Sequence, residues 1–168
     1  MNYKIGEYVS YCSGEICLID GIEKECFDGI NEAEYFKLVP VNSNKSSYYV
    51  PCGNCEGRLR KLLTQNEILS LIDSMPESQA KWNNDKNTRK SFFNSVLKGN
   101  DVHKIVDMIH SIYIQQENQL KNGKKLLPCD AKAMNEAEHI LYQEIAFVLG
   151  IKEDNVRDFI KTRLDNQS

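Results

Sequence analysis

The sequence predicts an α+β protein in two parts: a small antiparallel β-sheet or barrel, followed by an all-α domain of about five helices. Before about residue 56, short runs of β-branched and aromatic residues are separated by turn residues, which is typical of strands. After it, apolar residues recur at a spacing of three to four, which is typical of helices. The 168 residues, 41% of them hydrophobic and 27% charged, suit one ordinary domain or two small globular ones. We therefore expect a β domain over 1–56 and a helical domain over 57–168.

The β domain is predicted from four clear strand candidates, with room for a fifth. They lie at 5–11, 16–22, 34–41 and 47–50, and the turns between them contain Ser13-Gly14, Asp28-Gly29 and the polar stretch 42–45. Strands of this length at this spacing are typical of a small antiparallel sheet or barrel. A fold of about 55 residues is marginal on its own, so we expect the sheet to lean on a neighbour.

The first helix is predicted to begin at a capping box formed by Thr64 and Glu67, whose side chains satisfy each other's exposed amides. Its expected apolar face is Leu69, Ile72 and Met75. Pro76 ends this helix, because proline cannot continue the hydrogen-bond ladder, and residues 76–84 are polar enough to be a linker.

Four further helices follow from apolar spacing and from glycine stops. The second is predicted over about 84–98 and ends at Gly99; its expected buried residues are Phe92, Phe93, Val96 and Leu97. The third ends before Asn122-Gly123 and is marked by Val102, Ile105, Val106, Ile109, Ile112 and Tyr113. The fourth begins near Asp130 and ends at Gly150; its expected buried residues are Ala133, Ala137, Ile140, Leu141, Ile145 and Val148. The fifth is lined by Val156, Phe159, Ile160 and Leu164.

Charge is unevenly distributed along the chain, whose formal net charge is -3. Residues 1–57 carry four lysines against nine acidic residues, whereas 81–125 hold nine basic residues against four acidic ones. The basic segment predicts either a local phosphate-binding surface or an ordinary solvated helix face. No apolar run approaches the ~20 residues that cross a bilayer, and residues 1–7 lack the apolar centre of a secretory signal. We therefore expect a cytoplasmic protein with reduced thiols and no membrane partner.

Short motifs follow one another in a fixed order along nearly the whole chain. In the first part they are Ile5-Gly6-Glu7-Tyr8-Val9-Ser10-Tyr11, Ser13-Gly14, Ile22-Glu23, Tyr35-Phe36-Lys37-Leu38, Tyr49-Val50-Pro51, Asn54 and Arg58. In the second part they are Trp82, Arg89, Leu97-Lys98-Gly99-Asn100, Lys124-Lys125-Leu126, Asp130, Ala137-Glu138 and Leu141-Tyr142-Gln143-Glu144-Ile145-Ala146. This order resembles the CarD/CdnL family of bacterial transcription regulators, which bind RNA polymerase.

The resemblance implies a Tudor-like β-barrel that docks on the lobe of the polymerase β subunit by extending sheet to sheet. The residues implied in that contact are Lys24, Glu25, Tyr48, Tyr49, Val50 and Pro51. It also implies that Trp82 wedges into promoter DNA at the upstream edge of the transcription bubble and slows its closing. The chain departs from the family at Tyr49, where well-studied members have Arg. It departs again at Asn83-Asn84-Asp85, which stands where basic pairs follow the Trp.

The residues around Trp82 support a DNA contact without the resemblance, although a plainer interpretation is also open. Trp82 is the only Trp and lies in a polar stretch, so it either stacks on DNA or packs at a domain junction. Lys86, Arg89 and Lys90 follow helical spacing and are expected to form one basic face at a helix start. The expected phosphate contacts are Lys81, Lys86, Arg89, Lys90, Lys124 and Lys125. Such contacts give weak, salt-sensitive binding without base specificity.

Two other functions remain open on the sequence. The same edge strand would serve a protein-binding adaptor that makes no DNA contact. Cys52 and Cys55 have the spacing of a zinc knuckle or a redox pair, and Cys12 and Cys17 are the candidates to complete a zinc site. No glycine-rich phosphate loop, nucleophile elbow or zinc-protease motif is present, so we expect no enzyme activity and no cofactor. The expected oligomeric state is a monomer, and strand or domain exchange is conceivable at high concentration.

Overall fold

The chain folds into two compact units, residues 1–62 and residues 63–168, which we call the sheet unit and the helical unit. The computed structural model describes residues 3–27, 31–43, 46–78 and 81–166. Within these ranges it contains one five-stranded antiparallel sheet and five α-helices. The predicted α+β class, with the sheet first and the helices after it, is confirmed.

The sheet unit is an antiparallel meander to which the last strand returns. Its strands are β1 (Tyr8–Tyr11), β2 (Glu15–Glu25), β3 (Ala33–Pro40), β4 (Tyr48–Pro51) and β5 (Leu59–Lys61). Their order in the sheet is β4-β3-β2-β1-β5. The turn between β1 and β2 requires left-handed backbone at Cys12 and Gly14, with φ of 47° and 94°.

The sheet curls strongly, but its strand pairing leaves it open. The ring of Tyr48 on β4 stacks on the ring of Tyr11 on β1, with 4.9 Å between centroids, although two strands lie between them in the sheet. A register shift between Ile19 and Gly21 accompanies this bend in β2. Among the described residues no ladder joins β4 to β5, so both remain edges and the closed barrel expected from the sequence is not formed by strand pairing.

The sheet unit extends further along the chain than the boundary expected at residue 56. β5 pairs with β1, with Leu59 opposite Tyr11 and Lys61 opposite Val9, so the chain up to residue 62 belongs to the sheet unit. Sequence patterns missed this strand because it has only three residues, two of them basic. Its one apolar residue, Leu59, is buried in the sheet core.

The helical unit contains the five predicted helices. They are α1 (Gln65–Ser74), α2 (Lys86–Lys98), α3 (Val102–Lys121), α4 (Pro128–Leu149) and α5 (Val156–Asp165). The predicted capping box is confirmed, because the Thr64 amide donates to Glu67 Oε2 at 2.7 Å and the Glu67 amide donates to Thr64 Oγ1 at 3.3 Å. Gly150 ends α4 in the left-handed conformation, with φ of 67°. No described helix is both long and apolar enough to cross a bilayer.

The core of the helical unit differs from the prediction most clearly on α2. Phe93, Val96 and Leu97 are buried as expected, but Phe92 is 56% exposed and Arg89 is buried instead. Positions i, i+4, i+7 and i+8 of a helix share one face, so Arg89 lies on the stripe of Phe93, Val96 and Leu97. Phe92 lies at the edge of that stripe, about 100° around the helix from Phe93. The face of α1 is also rotated from the one predicted; its buried residues are Ile68, Leu71 and Ile72.

The stretch expected to be a linker, 76–84, is partly anchored to the helical unit. Met75–Glu77 forms a 3-10 turn, and the Ser78 hydroxyl donates to Asp107 on α3 at 2.7 Å. Residues 79 and 80 lie outside the described residues. The segment from Lys81 to Asp85 then leads into α2 and carries Trp82.

Candidate functional site

The Trp82 ring lies beside a buried ion pair that the sequence did not indicate. The Arg89 side chain donates to both oxygens of Asp130, from Nε at 3.0 Å and from Nη2 at 2.8 Å. Its remaining nitrogen, Nη1, donates to the carbonyl of Asn83 at 2.7 Å. The guanidinium carbon lies 4.3 Å from the centroid of the Trp82 ring, within cation–π range. Arg89 therefore ties the segment that carries Trp82 to the first turn of α4.

The predicted basic face at the start of α2 loses one member. Arg89 is only 4% exposed and Asp130 only 3%, so this guanidinium faces the interior and is neutralised there. Lys86 and Lys90 are both exposed and lie one helical turn apart. The surface expected to contact phosphate therefore consists of lysines alone. Arg89 instead lies beneath this surface, where it contacts the Asn83 carbonyl and the Trp82 ring.

The ion pair joins the start of α2, the helix that carries Lys86 and Lys90, to the start of α4, the helix that follows Lys124 and Lys125. Lys125 precedes Asp130 by five residues, which span at most about 18 Å of extended chain. Lys81, Lys124 and Lys125 are all exposed. The contact between Arg89 and Asp130, which lie 41 positions apart, therefore limits how far Lys125 can lie from the start of α2.

The residues that depart from the family pattern after Trp82 form the cap of α2. The Asp85 side chain accepts from the Thr88 amide at 2.8 Å, and the hydrogen bonds from Thr88 hold the pKa of Asp85 below its usual value. The Asn83 side chain in turn accepts from the Asp85 amide at 2.9 Å. A carboxylate therefore already occupies the helix N-terminus that the sequence offered to DNA phosphate.

Trp82 itself is partly buried and packs on the core of its own unit. Its ring centroid lies 6.2 Å from that of Phe93. The Arg89 guanidinium covers part of one face of the Trp82 ring, so nucleic-acid bases cannot stack on both faces of this ring. The uncovered part of the ring is what remains for contact with a partner.

The second candidate surface is the edge of the sheet at β4. Within the described chain, β4 pairs with β3 on one side only. Tyr48 and Val50 face the core, where Val50 is fully buried, whereas Tyr49 points to the opposite, outer face. The Val50 side chain is therefore not accessible to a partner. Pro51 ends the strand and has no amide to donate.

Tyr49 takes part in a polar network that spans three strands. Its hydroxyl donates to Glu23 Oε2 at 3.0 Å, and Lys37 Nζ donates to Glu23 Oε1 at 2.9 Å. These hydrogen bonds, that from Lys37 first, lower the pKa of Glu23, and the bond to Glu23 raises the pKa of Tyr49. The other residues expected to contact polymerase, Lys24 and Glu25, lie at the end of β2, with β3 between them and β4.

The cysteines do not form the metal site that their spacing allowed. The described residues contain no group of three or more His, Cys, Asp or Glu side chains placed to hold a metal ion. Burial raises the pKa of Cys17 to about 12 and also raises that of Cys52. Cys55 is buried in the sheet core, and Cys12 is half-buried. Since thiolates are the reactive and metal-binding form, Cys17 and Cys52 are poorly disposed to either role.

Sequence reasoning missed the charged residues that hold the helical unit together. Besides Asp130, these include Glu144, which is buried on α4 and accepts from the Leu63 amide at 2.9 Å. Arg163 on α5 forms a bidentate ion pair with Asp73 on α1, donating from Nε at 2.5 Å and from Nη2 at 2.7 Å. Charged residues in helices are usually solvated, so the sequence gave little reason to expect these burials. The one indication was that Arg89 lies four positions before Phe93 and therefore on the same face of α2.

No protein-family model matches the chain, and no curated protein matches it.

Proposed function

We propose that the chain is a non-catalytic transcription regulator of the CarD/CdnL type. The sheet unit would bind the lobe of the RNA polymerase β subunit, and the helical unit would contact promoter DNA at the upstream edge of the bubble. The observation that carries this proposal is the position of Trp82, which Arg89 holds in a segment flanked by the exposed Lys81 and Lys86. An aromatic ring on a rigid mount beside cations is suited to stacking against nucleic acid.

The polymerase contact is supported by the open edge at β4. An edge strand presents unpaired backbone groups to which a strand of another protein can add. The meander order, with β5 returning to β1, and the curl that brings Tyr48 onto Tyr11 fit the proposal of a Tudor-like module.

The DNA contact would act on the balance between closed and open promoter complexes. Stacking of the uncovered part of the Trp82 ring on an exposed base is worth ~1–3 kcal/mol, and lysine contacts to phosphate position the unit without reading sequence. A group that binds only opened DNA stabilises only the open state. Stabilisation by ~1.4 kcal/mol lengthens the open complex's life about tenfold if the barrier top is unchanged.

The decisive experiment is the lifetime of open promoter complexes formed with the polymerase of the same organism. We expect the wild type to lengthen this lifetime and Trp82→Ala to remove most of the effect while still binding polymerase. Phe92→Ala is the matched control, because Phe92 is an exposed ring on α2 whose ring contact is with Phe93. If both variants lost the effect on the lifetime equally, the wedge role of Trp82 would be contradicted. The same holds if the wild type bound polymerase but left the lifetime unchanged.

A second candidate function is a protein-binding adaptor that uses β4 and makes no DNA contact. The observation in its favour is that Trp82 already packs on Phe93 and Arg89, so the ring has a structural role of its own. Binding to forked DNA distinguishes the two functions. A regulator should lose affinity as salt rises, and Lys86→Ala and Lys90→Ala should each reduce the salt slope by about 1. An adaptor should show no such binding.

A further inference from the structure

The outer face of the sheet next to β4 combines carboxylates with aromatic rings. We call this surface the acidic aromatic face; it consists of Asp20, Glu23, Glu25, Phe27, Tyr35 and Tyr49. Lys37 is the one cation of the network among them, and it donates to Glu23 and lies 3.9 Å from Asp20. Among the described residues, three carboxylates against one ammonium give this face a net negative charge.

Of the three rings of this face, Phe27 is exposed, whereas Tyr35 and Tyr49 are half-buried. Phe27 is 61% exposed. It packs edge-on against Tyr35 at 4.9 Å between centroids, and its centroid lies 5.5 Å from that of Tyr49. Aromatic faces next to carboxylates attract Arg and Lys side chains, since the ring quadrupole and the negative charges act together. An acidic partner would meet like charge here and lose affinity.

The edge strand alone cannot supply much binding energy. β4 has four residues, and Pro51 has no amide hydrogen to donate. The segment in which each residue has both a backbone donor and a backbone acceptor is therefore Tyr48–Val50. Only alternate residues of a strand direct their backbone groups to one side. Side-chain contacts on the flanking face must therefore contribute to any stable pairing at this edge.

We propose that β4 pairs with an extended partner segment that carries Arg or Lys on the side of Tyr49. That cation would lie over the rings of Phe27 and Tyr49, close to the carboxylates of Glu23 and Glu25. The inference rests on the proposed polymerase contact, whose partner chemistry it specifies.

Two synthetic peptides test the partner's charge directly. They share one nine-residue strand-forming sequence and differ only in carrying Arg or Glu at the alternate outward positions. Each is titrated into the full chain and followed by amide NMR shifts. We expect the Arg peptide to shift the amides of Tyr48–Val50 and Glu23 and to bind about tenfold more tightly than the Glu peptide, less so at high salt. Equal binding of both peptides, shifts confined to other strands, or no binding of the Arg peptide would overturn the proposal.

Variants of the chain separate this inference from the proposed function. Glu23→Gln with Glu25→Gln should abolish the preference for Arg, whereas Glu56→Gln, an exposed acid elsewhere in the sheet unit, should leave it intact. Retention of purified RNA polymerase by the wild-type chain is measured in parallel. Polymerase binding without any preference for the Arg peptide would reject the cationic partner but keep the regulator. Preference for the Arg peptide without polymerase binding would keep the cationic partner but reject the proposed polymerase contact.

Discussion

Replacing Arg89 with Met removes one partner of a buried ion pair and leaves the other uncompensated. Arg89 and Asp130 are 4% and 3% exposed, and the pair is joined by two hydrogen bonds of 3.0 and 2.8 Å. Removing one member of such a pair costs about 3–5 kcal/mol, because a charge stays buried without its partner. The carbonyl of Asn83 loses its donor as well, and the Trp82 ring loses its cation. We expect Arg89→Met to reduce the free energy of unfolding of the helical unit by about 3–5 kcal/mol.

Urea unfolding followed by fluorescence measures this loss, because Trp82 is the only tryptophan and reports on the helical unit alone. Arg89→Lys keeps the charge but not the planar fork, so its loss should be smaller, about 1–3 kcal/mol. Both variants should move Trp82 emission to longer wavelength and increase its quenching by acrylamide, since the segment 82–84 is released.

The double variant Arg89→Met/Asp130→Asn decides the cause of the loss. With no charge left buried, it should recover about 2 kcal/mol or more relative to Arg89→Met alone. A loss below about 1 kcal/mol in Arg89→Met, or strictly additive losses in the double variant, would refute the view that the buried charge pair stabilises this site.

Three further predictions concern other parts of the chain. Thr64→Ala should cost about 1 kcal/mol of unfolding free energy, measured in urea, because α1 loses its capping box. Hydrogen bonds from Lys37 and Tyr49 lower the pKa of Glu23 in the folded chain. The stability that these bonds contribute is therefore fully present above the ordinary Glu pKa of about 4.3. It is lost as the pH falls through the lower pKa of the folded state. Tyr49→Phe should therefore raise the Glu23 pKa in a carboxyl carbon NMR titration. The Cys17 thiol, with a pKa raised to about 12, should react with a disulfide reagent at pH 8 only after unfolding.

Each of these predictions has a clear contrary result. An unchanged urea midpoint in Thr64→Ala would mean that the cap is formed but contributes nothing. An unchanged Glu23 pKa in Tyr49→Phe would show that Lys37 alone holds the carboxylate. Rapid reaction of Cys17 in the native chain would show that the sheet core opens at low cost in free energy.

Local signals in the sequence predicted helix ends well and strand partners poorly. The capping box of Thr64 and the stop at Gly150 are formed by neighbours within a few positions, so their side chains and backbone preferences suffice. β5 is defined only by its pairing with β1, almost fifty residues earlier in the chain, and its own three residues carry no strand pattern. The closed barrel was likewise an expectation about which edges meet, which strand patterns do not encode.

The candidate site shows the same division between local and distant contacts. The sequence by itself determined the two-part organisation, the five helices and the basic segment that contains Trp82, because periodicity and composition act over short stretches. Only the tertiary structure decided that Arg89 faces inward to Asp130, 41 positions away, and that Tyr49 is bonded to Glu23. The direction of a charged side chain depends on whether a distant residue can compensate its burial, and that partner exists only once the chain has folded.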